Sequence, residues 1–207
     1  MGISSYLSEI FSLNRGIKIK TNKDVDTNVH TLSAILDGGE SHIGEVGTNG
    51  VIVGVELTRP ADAIAYAIND AVTDSTSAPT NLTFANLARA NGQSGYIVKA
   101  RIMTDQKDNV AAFRLHLFHT APTAINDNAA YGVLYANKSK AVGYIDFPAM
   151  TTEDATASDV AFALWTGQLH FVCAAASRAL YGILEAKTVF TPASGQKFYI
   201  ELSSDNN

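Results

Sequence analysis

The stretch from Gly95 to Thr120, GYIVKARIMTDQKDNVAAFRLHLFHT, constrains the fold of this chain more than any other. Phe113, Leu115 and Leu117 fall on one side of an extended segment and Arg114, His116 and Phe118 on the other, which is the period-two pattern of a half-buried strand. Upstream, Tyr96, Ile97, Val98, Ile102 and Met103 supply the apolar side chains of another strand, with Lys99 and Arg101 on one face. Thr104 to Asn109 is a run of turn formers too polar to bury. The pattern predicts an antiparallel pair joined by a polar turn and placed centrally in a sheet.

Other strand candidates follow the same logic. Val51–Leu57 is the first, ended by Thr58-Arg59-Pro60, because proline cannot donate to a ladder. Leu82–Leu87, Ala130–Ala136, Val142–Phe147, Leu169–Ala175, Leu180–Ala186 and Phe198–Leu202 come next, with Val160–Trp165 a weak strand or a short helix. Ala61–Val72 is ambiguous. Eight or nine short strands separated by turn signals predict an all-β sandwich or barrel. No strand alternates with a long amphipathic helix, so a parallel α/β sheet is not expected.

Ahead of the strands, residues 14–49 are polar, irregular and punctuated by glycine. They read as an arm; about 36 extended residues reach at most roughly 120 Å. Before them Ile3, Tyr6, Leu7, Ile10 and Phe11 recur at helical spacing. A helix this short is marginal alone in water. It docks either on its own domain or on a neighbouring protein, and Tyr6, Leu7, Ile10 and Phe11 are the candidate anchor. The expected organisation is an N-terminal arm over residues 1–49 and a sandwich domain over residues 50–207.

Composition narrows the function classes. The 207 residues are 46% hydrophobic but only 17% charged, below the usual quarter or so. Part of the surface is therefore covered by partners or built from Ser, Thr and Asn. The net charge of -5, with scattered Lys and Arg, argues against a nucleic-acid partner. Neither a secretory signal nor a run of about 18 apolar residues is present, so no membrane partner is expected. The single cysteine, Cys173, lies in an apolar run and reads as a buried small hydrophobe.

Residues that could catalyse or bind metal are few and poorly spaced for it. His116 and His119 would share a helix face, but on a strand an odd offset sends them to opposite faces. Asp24-Val-Asp26-Thr-Asn28 begins like an EF-hand loop, yet Val29 and Ile35 stand where glycine and glutamate are needed. Asn126-Asp127-Asn128 offers oxygens to a cation but reads as an ordinary loop. No nucleophile elbow, P-loop or dinucleotide fingerprint occurs. The expectation is a protein with no catalytic residues, no cofactor and no metal.

The segments HIGEVG (His42–Gly47) and ELTRPADAIAYAINDAV (Glu56–Val72) resemble a recurrent family of tailed-bacteriophage virion proteins that carry R-P-A-D-x-x-A-Y-A-x-G-D. Arg59, Pro60, Ala61, Asp62, Ala65, Tyr66, Ala67 and Asp70 match. Asn69 stands where the family has glycine, and asparagine also tolerates left-handed backbone. The likeness continues through SGYIVKARIMTDQ, FRLHLFHTAPTAINDNAAY, VGYIDFP, AAASRALYGILE and FTPASGQKFYIELS. The resemblance implies a virion structural protein of the capsid decoration, or cement, type. Such a protein would be a jelly-roll-like antiparallel β-sandwich, to which the residues add the extended N-terminal arm. It would form a homo-oligomer, commonly a trimer, and bind the major capsid protein on the virion surface. Two alternatives remain open: a tail, baseplate or head-fibre component, and a glycan-binding module for host attachment. For the last, Tyr131, Tyr135, Tyr144 or Trp165 would have to form an exposed platform, although their strand positions favour core packing.

Overall fold

The computed structural model describes residues 50–152 and 159–206. The arm, including Tyr6, Leu7, Ile10 and Phe11, lies outside the described residues, as do the Asp24–Asn28 loop and the segment His42–Gly47.

The described chain forms ten strands: β1 (Gly50–Thr58), β2 (Ala71–Val72), β3 (Leu82–Phe84), β4 (Ser94–Thr104), β5 (Phe113–Phe118), β6 (Ala141–Phe147), β7 (Thr151–Thr152), β8 (Ala161–Val172), β9 (Leu180–Ala186) and β10 (Lys197–Asp205). They make two antiparallel sheets. One has the order β1-β10-β4-β8-β7; the other runs β2-β9-β5-β6, with β3 also paired to β9. Setting aside the short β3 and β7, the first strand lies beside the last, the second beside the second-to-last, and the pattern continues inward. That interleaving is the strand order of a jelly roll. The all-β sandwich expected from the residues is the architecture found.

Alternation explains which side of each strand is buried. In β1, Val53, Val55 and Leu57 turn toward the core, while Ile52, Gly54 and Glu56 face out. In β5, Phe113, Leu115 and Leu117 point inward and are fully buried. The two inner faces meet in one core, where Ile97, Ile102, Phe198 and Ile200 oppose Phe113, Leu115, Leu117 and Ile145. Phe113 of one sheet meets Phe198 of the other edge-on, with ring centroids 5.2 Å apart, a favoured geometry for aromatic quadrupoles. In β4 the parity slips. Ile97 and Ala100 are both buried although they are three residues apart, because the register of β4 shifts between Ile97 and Lys99 against both neighbours.

Several sequence expectations need correction. The two halves of Gly95–Thr120 do not pair with each other. β4 pairs with β10 and β8, β5 with β6 and β9, and the polar segment between them crosses from one sheet to the other. Alternation reports that a strand is half-buried, and a crossover between facing sheets produces it as readily as a hairpin. Both strands are nevertheless interior in their sheets. Val160–Trp165 and Leu169–Ala175 are not separate elements but parts of the twelve-residue β8, whose register shift disguises its continuity. Ala130–Ala136 is not a strand. Asp70 and Ala130 form an isolated bridge, and Tyr135–Lys140 is a 3-10 helix. Tyr131 and Val133 instead pack with Ile125 on Phe118 and Ile183, making a small second core on the outer face of the β2-β9-β5-β6 sheet. This is why Phe118, on the outward side of β5, is only 2% exposed.

Gly182 of β9 makes room for side chains of the two strands paired with it, β5 and β3. A Cβ there would stand 2.9 Å from Leu115 Cδ1 and 3.1 Å from Phe84 Cε2. Gly182→Val is expected to lower stability by about 1–3 kcal/mol through overpacking, read as a shift in the midpoint of chemical denaturation with unchanged slope.

Candidate functional site

The residues of the R-P-A-D-x-x-A-Y motif come together around a buried ion pair. β1 stops at Thr58, and the backbone N–H of Arg59 donates to Gln196 O at 3.0 Å. The Arg59 side chain is fully buried. Its Nη2 lies 3.1 Å from Asp127 Oδ2, in an equally inaccessible carboxylate, and 3.2 Å from Asp62 Oδ1. Arg59 Nε donates to the Tyr66 hydroxyl. That hydroxyl donates to Asp127 Oδ1 at 2.6 Å, and the Thr73 backbone N–H reaches the same oxygen at 2.8 Å. The guanidinium also lies over the Tyr66 ring, 4.6 Å from its centroid, and the ring stacks on Phe190 at 4.8 Å.

Burial opposes the charge on Arg59, but the Tyr66 and Asp127 contacts outweigh it and its pKa is raised. Burial, reinforced by the hydrogen bond to Asp127, pushes the Tyr66 phenol up as well, so it stays protonated and remains a donor. The loop Asn126-Asp127-Asn128 does hold a cation, as its oxygens allow, and that cation is a guanidinium from the same chain. Asn69 adopts φ +72°, a left-handed backbone that asparagine tolerates. Its Oδ1 also accepts from Lys187 Nζ at 2.8 Å. The buried Arg59, Tyr66 and Asp127 groups are hydrogen-bonded to one another, which ties three stretches of chain together.

A second polar cluster lies on the outer face of the β2-β9-β5-β6 sheet. Cross-strand register places Arg114 between Asp146 of β6 and Glu185 of β9, and His116 beside Tyr144. Arg114 Nε and Nη2 reach Asp146 Oδ1 and Oδ2 at 2.5 and 2.8 Å. Glu185 is buried and accepts from His116 Nε2 at 2.6 Å and from Lys187 Nζ at 3.0 Å. The His116 ring stacks on Tyr131, 3.8 Å between centroids and 13° from parallel. Burial lowers the His116 pKa despite the Glu185 contact. Burial and the Glu185 charge push Tyr131 up to about 12. The hydrogen bonds from Arg114 hold the Asp146 carboxyl below its ordinary range.

The other sequence candidates separate. His119 falls just beyond β5 and bonds to Ser139 O and Thr120 Oγ1, both at 2.9 Å. It therefore shares no ligand position with His116. Cys173 is 4% exposed, and burial raises its thiol pKa. Of the four aromatic candidates, Tyr135 and Tyr144 are 81% and 53% exposed, against the expectation of core packing. Trp165 packs partly buried against the core and Tyr131 covers His116. Strand alternation does not reveal Tyr135, which sits in the 3-10 helix, nor does it fix which face of β6 is solvated. Sequence reasoning also missed Asp127 as the partner of Arg59, and Glu185 as the carboxylate beneath His116. Both acids are buried only because remote segments fold over them, and local patterning carries no trace of that.

No family model and no curated protein matches the sequence. Among solved structures the chain is similar to one described as "Structure of a marine algae virus of the order Picornavirales", at 12% identity and a TM-score of 0.25, covering 90% of this chain and 84% of that one. At that score the likeness carries no argument, and the jelly-roll assignment rests on strand order alone.

Two predictions follow the two clusters. Asp127→Ala leaves the Arg59 charge buried without its main partner and is expected to cost about 3–5 kcal/mol, measured by chemical denaturation. For His116, the folded pKa lies below the unfolded value of about 6.5, so the neutral form is favoured in the fold. The stabilisation this gives is complete above the unfolded pKa and is lost as pH falls through it toward the folded value. Thermal denaturation should therefore show the wild type losing more Tm than His116→Gln between about pH 7.5 and about pH 5.

Proposed function

We propose that the protein is a structural component of a virion, acting as a capsid decoration protein that binds the outer shell across neighbouring major capsid subunits and stabilises it. The observation that carries this reading is the motif itself. The R-P-A-D-x-x-A-Y residues, which resemble a pattern of tailed-phage virion proteins, are built into the frame of a jelly roll, where Arg59 and Tyr66 join Asp127 in locking chain segments together. A motif spent on shape suits a protein that works through its surface. Jelly rolls serve as shell and binding domains in many settings, although a fold alone does not decide function.

In this reading the protein forms a homo-oligomer, a trimer by preference, and its role is binding without turnover. The N-terminal arm supplies the main attachment, with Tyr6, Leu7, Ile10 and Phe11 as its apolar anchor. A stable interface buries about 1,600 Å² in total. An arm added to a compact body supplies such area, and several copies engaging together gain avidity.

The test uses purified undecorated capsids and the full chain. Deleting residues 1–40 is expected to leave a body with unchanged thermal unfolding that co-sediments with capsids at least about tenfold more weakly. Undiminished binding by the truncated protein would remove the anchoring role. Labelled copies confined to a single vertex, instead of spread over the lattice, would replace decoration with a tail or head-fibre position.

A further inference from the structure

The outer-face cluster contains a feature that neither shape nor capsid attachment requires. Tyr144 on β6 keeps 53% of its surface open. The Arg114 guanidinium lies against its ring at 3.9 Å from the centroid and is fixed there by the two-point bond to Asp146. Asp146, two residues along the same face of β6, has a side chain 52% exposed. The pair thus holds a planar donor and a planar acceptor side by side next to an accessible aromatic ring. Arg114 donates to Asp146 through Nε and Nη2, which leaves the Nη1 hydrogens to point elsewhere. Each Asp146 oxygen has further lone-pair capacity.

We infer that Tyr144, Arg114 and Asp146 form a subsite for a neutral carbohydrate. The Arg114 guanidinium covers one face of the Tyr144 ring, so the C–H face of a pyranose stacks on the opposite, open part, and its hydroxyls donate past the ring edge to the exposed Asp146 carboxylate. The charges of the cluster indicate a neutral ligand. Arg114 and Lys187 are balanced by Asp146 and Glu185, so no excess of either sign recruits a phosphate, a sulfate or an amine. The geometry is set before binding. Arg114 is held by Asp146 and Tyr144, while His116 stands beside Tyr144 at 6.2 Å between ring centroids, buttressed by Glu185 and Tyr131. Little side-chain freedom is then lost when a ligand arrives, and this lowers the cost of a weak, shallow contact. The Arg114 hydrogen bonds also keep Asp146 ionised, hence an acceptor, well into the acid range. Displayed in many copies, even a weak subsite holds a polysaccharide surface by avidity.

The full-length protein would be screened by saturation-transfer NMR against glucose, galactose, mannose and N-acetylglucosamine oligomers, and by retention on dextran and on dextran sulfate. The expected result is saturation transfer to at least one neutral oligomer. Tyr144→Ala and Asp146→Asn should each weaken that binding by about tenfold or more while the thermal midpoint stays near that of the wild type. Tyr144→Phe, which preserves the ring and the fold, should retain most of it. Absence of transfer from every neutral oligomer would overturn the inference. So would full binding by Tyr144→Ala, or retention on dextran sulfate alone. Capsid binding by the same variants is expected to be unchanged, so the subsite and the decoration reading can fail separately.

Discussion

The ion pair between Arg59 and Asp127 is the constraint on which much of this molecule depends. Two charges without access to water are costly, and only close partners make them tolerable. Here the partners are recruited from separate stretches of chain: Tyr66 and Asp62 close by, the Thr73 backbone at the end of β2, and the 120s loop that delivers Asp127. Once Arg59 is committed to this pocket, β1 must end at Thr58. Tyr66 must lie on Phe190, and the loop over the β2-β9-β5-β6 sheet must run where Asp127 needs it. The same loop then carries Ile125, Tyr131 and Val133 onto Phe118 and Ile183. A polar anchor thereby positions an apolar cover, and the cover turns a two-layer sandwich into one with a partial third layer.

The parts of this arrangement visible in the sequence were those with local causes. Phe113, Leu115 and Leu117 announce an inward face, Pro60 announces the end of β1, and Asn69 announces a left-handed turn. What could not be seen had causes elsewhere in the chain. β4 and β5 look like the arms of a hairpin because both alternate, yet nothing in their side chains says whether the intervening residues turn back or cross over. β8 looks like two elements because its register shifts partway along. The acids that matter, Asp127 and Glu185, resemble any other surface carboxylate until remote segments bury them. The arm anchor at Tyr6, Leu7, Ile10 and Phe11 falls outside the described residues.

The two faces of β5 divide the protein's labour. The inner face carries Phe113, Leu115 and Leu117, which contribute only packing. The outer face carries Arg114 and His116, each set by a cross-strand acid and each in contact with a tyrosine. Period-two geometry makes this division cheap for evolution to exploit, since outward residues on a strand can be altered with little effect on the packed side. On β5 that freedom is confined to Arg114, because Phe118 and His116 are themselves covered on the outer face.

The pairing of the first strand with the last has a consequence for how the chain reaches this state. Gly50 lies opposite Asp205 and Thr58 opposite Lys197, so contacts in this ladder span about 140–155 residues. β2 likewise waits for β9, and β4 for β10. Loop closure over such distances is slow. During synthesis β1 emerges long before the strand that covers its ladder edge, leaving Val51, Ile52, Val53 and Val55 to wait in an uncovered, sticky segment. Folding yield, more than final stability, is then the property most exposed to temperature, crowding and the supply of chaperones.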